Sequence, residues 1–503
     1  MPNVAFIRPE LARLFPQYKL IRDCIAGETT IKDRGTDYLP MPNPADTSAE
    51  NRARYKSYKE RAVFYNVARR TLAGLIGQVF ITDPQIDVPI LLTPVVNNAT
   101  GTGVSLVQEA KKSLSLTLAY SRCGLLVDYP EAPDGATMQD IQEGAIRPTI
   151  TAYGAMEIIN WRVIDVGAEE ILALVVIAEL YPFADDGFEL KNAMQFRVLQ
   201  LNQDMQYVAT IWREPQPQSS DGTKLPKNGG NYQLTKTYMP KDKNGNPLNR
   251  IPFMFIGTEN NDPNPDNPNF YDLCSLNVAH YRNSADYEES CYIVGQPTPV
   301  VTGLTSEWLK DELKGVLNFG SRGGIPLPEG CTATLLQAEP NTMLKEAMDG
   351  KERQMVALGA KLVEQQQVQR TAFEAKMEST SEGSVLSTTA KNVGEAFEWA
   401  LNQCAQFVAV DGKIAFSLNT DFDIARMTVE ERQETMKEWQ SGAITFKEMR
   451  NVLRKAGTAT EDDDAAKAEI DKETADAAAA AAQAMQGAGN DPTINQNNIG
   501  SNG

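Results

Sequence analysis

The sequence predicts an α+β chain of several domains, on three observations. Apolar residues recur at three-to-four residue steps in several long segments, as amphipathic helices require. Between Thr149 and Ile256 the texture changes to short β-branched and aromatic runs divided by turn residues. After Gly457 it changes again, to Ala, acidic residues, Asn and Gly. With 503 residues, 42% hydrophobic and 8% aromatic, the chain has enough apolar surface to fold without disulfide, metal or cofactor, and no cofactor is expected.

The first helix is expected from Ala49 to Gly77, where Tyr55, Tyr58, Ala62, Tyr65, Ala68 or Arg69, and Leu72 fall on one stripe after the proline-rich connector LPMPNPADT. Thr47 with Glu50 three residues on reads as its capping box, each side chain satisfying a free backbone N–H of the first turn. A helix from Ser105 to Ala119 leads into a strand, Gly124 to Tyr129, that stops at Pro130 and the turn PDG. The runs TITAY, IINWRVID, ILALVVIAELY, MQFRVLQL, QYVATIW and IPFMFIG, separated by ADDG, LNQD and KDKNGNP, predict one antiparallel sheet.

Helical periodicity returns after NNDPNPDNPNF, with Leu273, Leu276, His280, Asn283, Tyr287, Cys291 and Val294 on one stripe. A Gly/Pro-punctuated stretch from Gly295 to Pro340 carries the strand candidates PVVTGL, GGIPLP and TATLLQ. The next helix, Met343 to Gln367, spaces Met348, Met355 and Leu362 seven apart, with Leu344 and Leu358 adjoining. QQQVQRTAFEAKMESTSEGSVLS reads as an exposed polar loop before a helix from Ser387 to Val410. Two short helices follow, opened by the boxes Thr428/Glu431 and Thr445/Glu448, separated by Ser441-Gly442 and ended by Gly457. The segment after Gly457 has nine acidic residues against Lys467 and Lys472, a net −7 of the chain's −18, and reads as an Ala-rich helix with a frayed Asn/Gly end.

Composition narrows the chemistry. Six scattered cysteines without a CxxC pair and a single histidine, His280, do not make a Cys/His metal site, so no metal is expected. A net charge of −18 argues against gripping nucleic acid through a broad basic face, because duplex affinity rests on Lys and Arg neutralising phosphates. The N-terminus lacks the pattern of a signal peptide and no window reaches the ~18 apolar residues of a membrane span, so a cytoplasmic chain without a membrane partner is expected. GTGVSL at Gly101 lacks the lysine of a phosphate-binding loop, and neither GxSxG nor HExxH occurs. No catalytic residue is assigned: Asp185-Asp186, Glu288-Glu289 and Glu461 to Asp464 lack a supporting Lys or His and read as solvated charge.

Certain stretches carry a family resemblance when taken in order: NVARRTLAGLIGQVFITDPQI, SRCGLLVDYP, IINWRVID, FYDLCSLNVAHYRNSADYEESCYIVGQPTPVVTGL, LGAKLVEQQQ, STTAKNVGEAFEWALNQCAQFVA and ERQETMKEWQSGAITFKEMRNVLRKAG. Together they span most of residues 50–457, and the chain resembles the portal proteins of tailed bacteriophages, the head-to-tail connectors. The resemblance implies an N-terminal arm (1–48), an α+β wing (49–267), a first stem helix (268–294), a β-rich clip (295–342), a second stem helix (343–366), a tunnel loop (367–386), a long helix with wing return (387–457) and a crown or flexible tail (458–503). It further implies a non-enzymatic ring of about twelve copies at one capsid vertex, assembled in the host bacterial cytoplasm. Double-stranded DNA would pass through it without sequence readout, and the partners would be a terminase motor, head-completion, adaptor and tail proteins, and capsid and scaffolding proteins.

On that reading Gln366, Gln369, Arg370 and Lys376 would face the channel, with Arg370 and Lys376 touching phosphates lightly or serving only as surface charge. Lys310, Lys314 and Arg322 would dock partners at the clip, or be ordinary exposed charge. Leu273, Leu276, Tyr287, Met348, Met355 and Leu362 would meet the neighbouring subunit, or pack inside their own. A carboxylate-dependent hydrolase or nuclease, or another capsid adaptor, is the competing function.

Overall fold

Pro9 opens the first helix, α1 (Pro9–Ala26), at a position where its missing N–H has no intrahelical partner to lose. A computed structural model describes residues 3–129, 146–222, 230–242, 245–295, 298–311, 327–336, 342–362, 384–408, 410, 412–420, 422, 429–455, 467, 469 and 472. Two compact units result, Met1–Thr420 and Asp421–Gly503. Residues 3–48, the span expected as an arm, carry α1 and two short helical segments of the first unit. α1 buries Leu11, Leu14, Tyr18 and Ile21, and α2 (Glu28–Arg34) follows. Buried Asp23 joins them, accepting from Arg34 Nε at 2.9 Å and from Tyr38 Oη at 2.8 Å.

The long helix expected over 49–77 is two, α3 (Ala49–Arg61) and α4 (Val67–Val79). Residues 62–66 leave the helix because polar side chains from a later helix hold their backbone groups. Ser284 Oγ accepts from Val63 N at 2.9 Å, Asn277 Nδ2 donates to Tyr65 O at 2.8 Å, and Asn277 Oδ1 accepts from Val67 N at 3.2 Å. The cap of α3 is Ser48 rather than Thr47, its hydroxyl accepting from Asn51 N at 3.1 Å. β1 (Gln85–Asp87) and α5 (Thr93–Asn97) precede α6 (Leu106–Tyr120), which opens on a reciprocal capping box between Ser105 and Gln108.

The single sheet expected from the apolar runs is two antiparallel sheets. β2 (Arg122–Asp128) is buried along nearly its whole length and lies between β3 (Thr149–Gly154) and β9 (Phe253–Gly257). A separate meander runs β4 (Ile158–Val166), β5 (Glu169–Asp185), β6 (Leu190–Leu201), β7 (Tyr207–Arg213) and β8 (Gln233–Tyr238). β8 escapes the sequence pattern because QLTKTY is polar and solvent-exposed.

The outer edge of β3 is closed by side chains and by Ala99 O, which accepts from Ile150 N at 2.8 Å, rather than by another strand. Ala152 N donates to buried Glu109 at 2.7 Å, Lys112 Nζ donates to Ala152 O at 2.9 Å, and Gly154 N donates to Glu157 at 2.6 Å. An edge satisfied this way offers no ladder to a foreign strand.

Gly124 in β2 marks the tightest strand packing: a Cβ there would lie 2.2 Å from Phe253 Cζ and 2.6 Å from Ile158 Cδ1. Gly124→Ala is therefore expected to cost about 1–3 kcal/mol by overpacking, checked by urea denaturation of the purified chain.

α7 (Tyr271–Val294) leads to β10 (Thr298–Thr302), the short α8 (Ser306–Asp311), β11 (Thr332–Leu336) and α9 (Thr342–Lys361). Then comes α10 (Val385–Val408), which buries Ala390, Val393, Phe397, Ala400, Leu401 and Cys404 on one face. α10 packs across α6, β2 and β9, and β12 (Ala415–Ser417) returns to pair with β1.

In the second unit α11 (Val429–Gln440) and α12 (Phe446–Lys455) form a helical hairpin turning at Gly442, whose φ of +76° suits glycine. The Thr445/Glu448 box is present, with Thr445 N donating to Glu448 at 2.7 Å and Glu448 N to Thr445 Oγ1 at 3.2 Å. Thr428 of the other expected box, and most of the tail after Gly457, lie outside the described residues.

Candidate functional site

Two antiparallel helices and the small hairpin joining them form the candidate site. α7 is buried from Leu273 to Ala285 and free of the core beyond it. Its buried face is not the expected stripe: Cys274, Asn277, Val278, Tyr281, Ser284 and Ala285 join Leu273 and His280 inside, while Leu276, Asn283 and Tyr287 are half-buried and Cys291 is exposed. The apolar count alone chose the wrong rotation, because Asn277 and Ser284 are buried for the backbone groups of 63–68 that they hold. Beyond Ala285 the helix is held by α3, through Tyr58 Oη to Asp286 at 2.5 Å and an ion pair of Arg61 with Glu289. Arg61 also lies over the Tyr292 ring at 4.3 Å.

α9 packs along α7, with Met355 fully buried and Leu344, Met348, Leu358 and Leu362 half-buried. Leu273 and Met355, expected as ring-interface candidates, are thus enclosed within the chain. Leu276, Tyr287, Met348 and Leu362 keep part of their surface.

His280 sits at the same seam, 3% exposed, with Nε2 3.2 Å from Glu352 of α9 and its ring tilted against Tyr65. Burial lowers its pKa, and the neighbouring Glu352 only partly offsets this. The folded chain therefore holds His280 neutral at pH values where an exposed imidazole is already protonated. Stability from this group is present above the unfolded pKa of about 6.5 and is lost as pH falls from there through the depressed folded value. His280→Gln should flatten that segment of the stability–pH curve relative to the parent chain, measured by urea midpoints from pH 7.5 to 5.

At one end of the helix pair, β10 and β11 pair antiparallel from Thr298↔Leu336 to Thr302↔Thr332. Around this hairpin Tyr292, Ile293, Val300 and Met343 are exposed apolar residues, and Val356 is exposed further along α9. Lys310 is exposed at the end of α8; Lys314 and Arg322 lie outside the described residues, as does most of GGIPLP. At the opposite end, Leu386 N donates to Leu362 O at 3.1 Å, so the polar segment between them leaves and returns at one point. Gln366, Gln369, Arg370 and Lys376 lie within that segment, outside the described residues.

Among the described residues no group of three or more His, Cys, Asp or Glu could hold a metal. Three of the carboxylates singled out by the sequence have backbone or ion-pair partners, and Glu461 to Asp464 lie outside the described residues. Asp185 accepts from Gly187 N at 2.8 Å, Asp186 accepts from Phe188 N at 2.9 Å, and Glu289 pairs with Arg61 and Arg54. Among the described residues no helix is long and apolar enough to cross a membrane.

A family model described as "Domain of unknown function (DUF4055)" matches residues 269–408, the span of α7 through α10. No curated protein matches the chain. Among solved structures, a chain in the virion of the native gene transfer agent (GTA) particle is similar at 13% identity and a TM-score of 0.40, covering 77% of this chain and 89% of that one. A chain in the neck of the empty GTA particle, computed with C6 symmetry, is similar at 11% identity and a TM-score of 0.41, covering 78% and 90%. A chain in the neck of the native particle, computed with C12 symmetry, is similar at 11% identity and a TM-score of 0.40, covering 77% and 89%.

Proposed function

We propose that this chain is the subunit of a portal-type ring, a non-enzymatic channel for DNA at one vertex of a phage-like capsid. The observation that carries the reading is the antiparallel pair α7–α9, with the hairpin β10–β11 at one end and the closed root of a polar loop at the other. It matches the order of parts implied by the sequence resemblance. A helix pair of this kind packs against like pairs around a hole when its free faces differ, because a closed ring needs heterologous contacts. Leu276, Tyr287, Met348 and Leu362, with exposed Tyr292, Met343 and Val356, supply such faces.

The net charge of −18 per chain would make the assembled wall repel phosphates, so DNA slides rather than sticks. Gln366, Gln369, Arg370 and Lys376 would make the light contacts with it. Lys310, Lys314 and Arg322 would dock the terminase motor and then head-completion and tail proteins at the exposed hairpin end. The mass of the purified full chain in solution tests the ring. About twelve times 55.3 kDa is expected, and a monomer persisting at high concentration refutes the reading.

A further inference from the structure

Cys24 of α1 and Cys274 of α7 are both fully buried and stand 250 residues apart in sequence, yet touch. The Cys24 thiol lies 3.8 Å from the Cys274 carbonyl, and it is pushed well above the ordinary thiol range by its hydrogen bond with Cys274, then by burial. Both are free thiols. We propose that Cys24 and Cys274 are a latent disulfide, joined when the folded chain meets a low-molecular-weight disulfide outside a reducing compartment.

In the first step one cysteine, as its thiolate, attacks a sulfur of the small disulfide. That S–S bond breaks, one small thiol leaves, and a mixed disulfide remains on the protein. The second cysteine then displaces the other half of the reagent, forming the Cys24–Cys274 bond and releasing a second small thiol. Both protons leave on the two small thiols; the protein pair is oxidised and the reagent reduced. A fully buried thiol without thiolate character reacts only on opening. That opening requires α1 to part from α7, and because α1 also packs on α2, α4 and α6 it is a sub-global event reached on warming toward the midpoint.

The bridge would tie the N-terminal helix to the base of the α7–α9 pair. Closing a loop of this length constrains the unfolded chain strongly, and a rise in thermal midpoint of roughly 5 °C or more is expected.

The test uses the purified full-length chain incubated with oxidised glutathione some ten degrees below its midpoint. It is then blocked with iodoacetamide, digested and mapped without reduction. The expected result is a linked peptide pair containing residues 24 and 274, a raised midpoint that returns on reduction, and loss of both effects in Cys24→Ala and Cys274→Ala. Exposed Cys291 and half-exposed Cys331 serve as internal reporters that oxidant was present. If those two are modified while Cys24 and Cys274 are recovered as thiols, the proposal is wrong. It is equally wrong if the bridge forms but leaves the midpoint unchanged or lower. The comparison of oxidised with reduced parent protein requires no variant, so it stands even if either alanine chain folds poorly.

Discussion

Arg197→Met is expected to destabilise the first unit by about 3–5 kcal/mol, because it leaves two largely buried carboxylates without their cation. Arg197 of β6 donates from Nε to Glu179 of β5 at 2.9 Å, and from Nη1 to Asp128 of β2 at 2.7 Å and Tyr238 of β8 at 2.8 Å. It is therefore the ionic tie between the five-stranded and the three-stranded sheet. Side-chain exposures of 19% for Arg197, 13% for Glu179 and 29% for Asp128 put the network where screening is weak. Burial already pushes the Asp128 carboxyl above its usual range, and Arg197 is the main force holding it down.

Without the guanidinium, Glu179 retains Tyr153 Oη at 2.6 Å and Gln195 Nε2 at 2.9 Å, whereas Asp128 loses its ion-pair partner. Urea denaturation near pH 7 reads the loss directly. The charge argument also predicts that adding Asp128→Asn to Arg197→Met restores part of it. A single variant within about 1 kcal/mol of the parent would show that the two sheets are joined by packing alone.

Phe397→Ala should cost a comparable amount, about 3–5 kcal/mol, through lost burial and the cavity left behind. Phe397 is fully buried at the middle of α10, and its ring meets Phe416 of β12 at 5.3 Å between centroids. α10 is the element that packs on α6, β2, β9 and β12 together. A hole at its centre therefore opens between α6, the three-stranded sheet and β12 at once, so no single neighbour can fill it. The urea midpoint should fall with little change in slope; a loss below about 1.5 kcal/mol would mean that the core closes over the gap.

The elements legible in the sequence were those whose signal is local. Thr445/Glu448 marks a helix start with side chains that reach only three residues, and α12 begins there, as α6 begins after Ser105 where its apolar periodicity starts. The spacing of Met348, Met355 and Leu362 marked a face that does turn inward, at least in part. What failed depended on distant partners. Nothing near Val63 announces that Ser284 and Asn277 will break the helix at 62–66, and nothing in QLTKTY announces an edge strand paired to β7. The rotation of α7 was misjudged for the same reason: buried Asn277 and Ser284 look like surface residues until the backbone they satisfy is known.

Of the candidate site, the helix pair and its hairpin could be read from the order of periodicities. The separation of Leu273 and Met355 from their neighbours on the stripe could not, because intrachain and interchain packing demand the same apolar letters. Sequence alone also gave no sign that Leu362 and Leu386 meet.

Electron microscopy of the purified full-length chain addresses the account most directly. Averaged end-on views should show an annulus with an open central hole and rotational symmetry of about twelve, with the helix pairs arranged around the bore. Solid, asymmetric or single-subunit particles at concentrations well above those of the cell would contradict it.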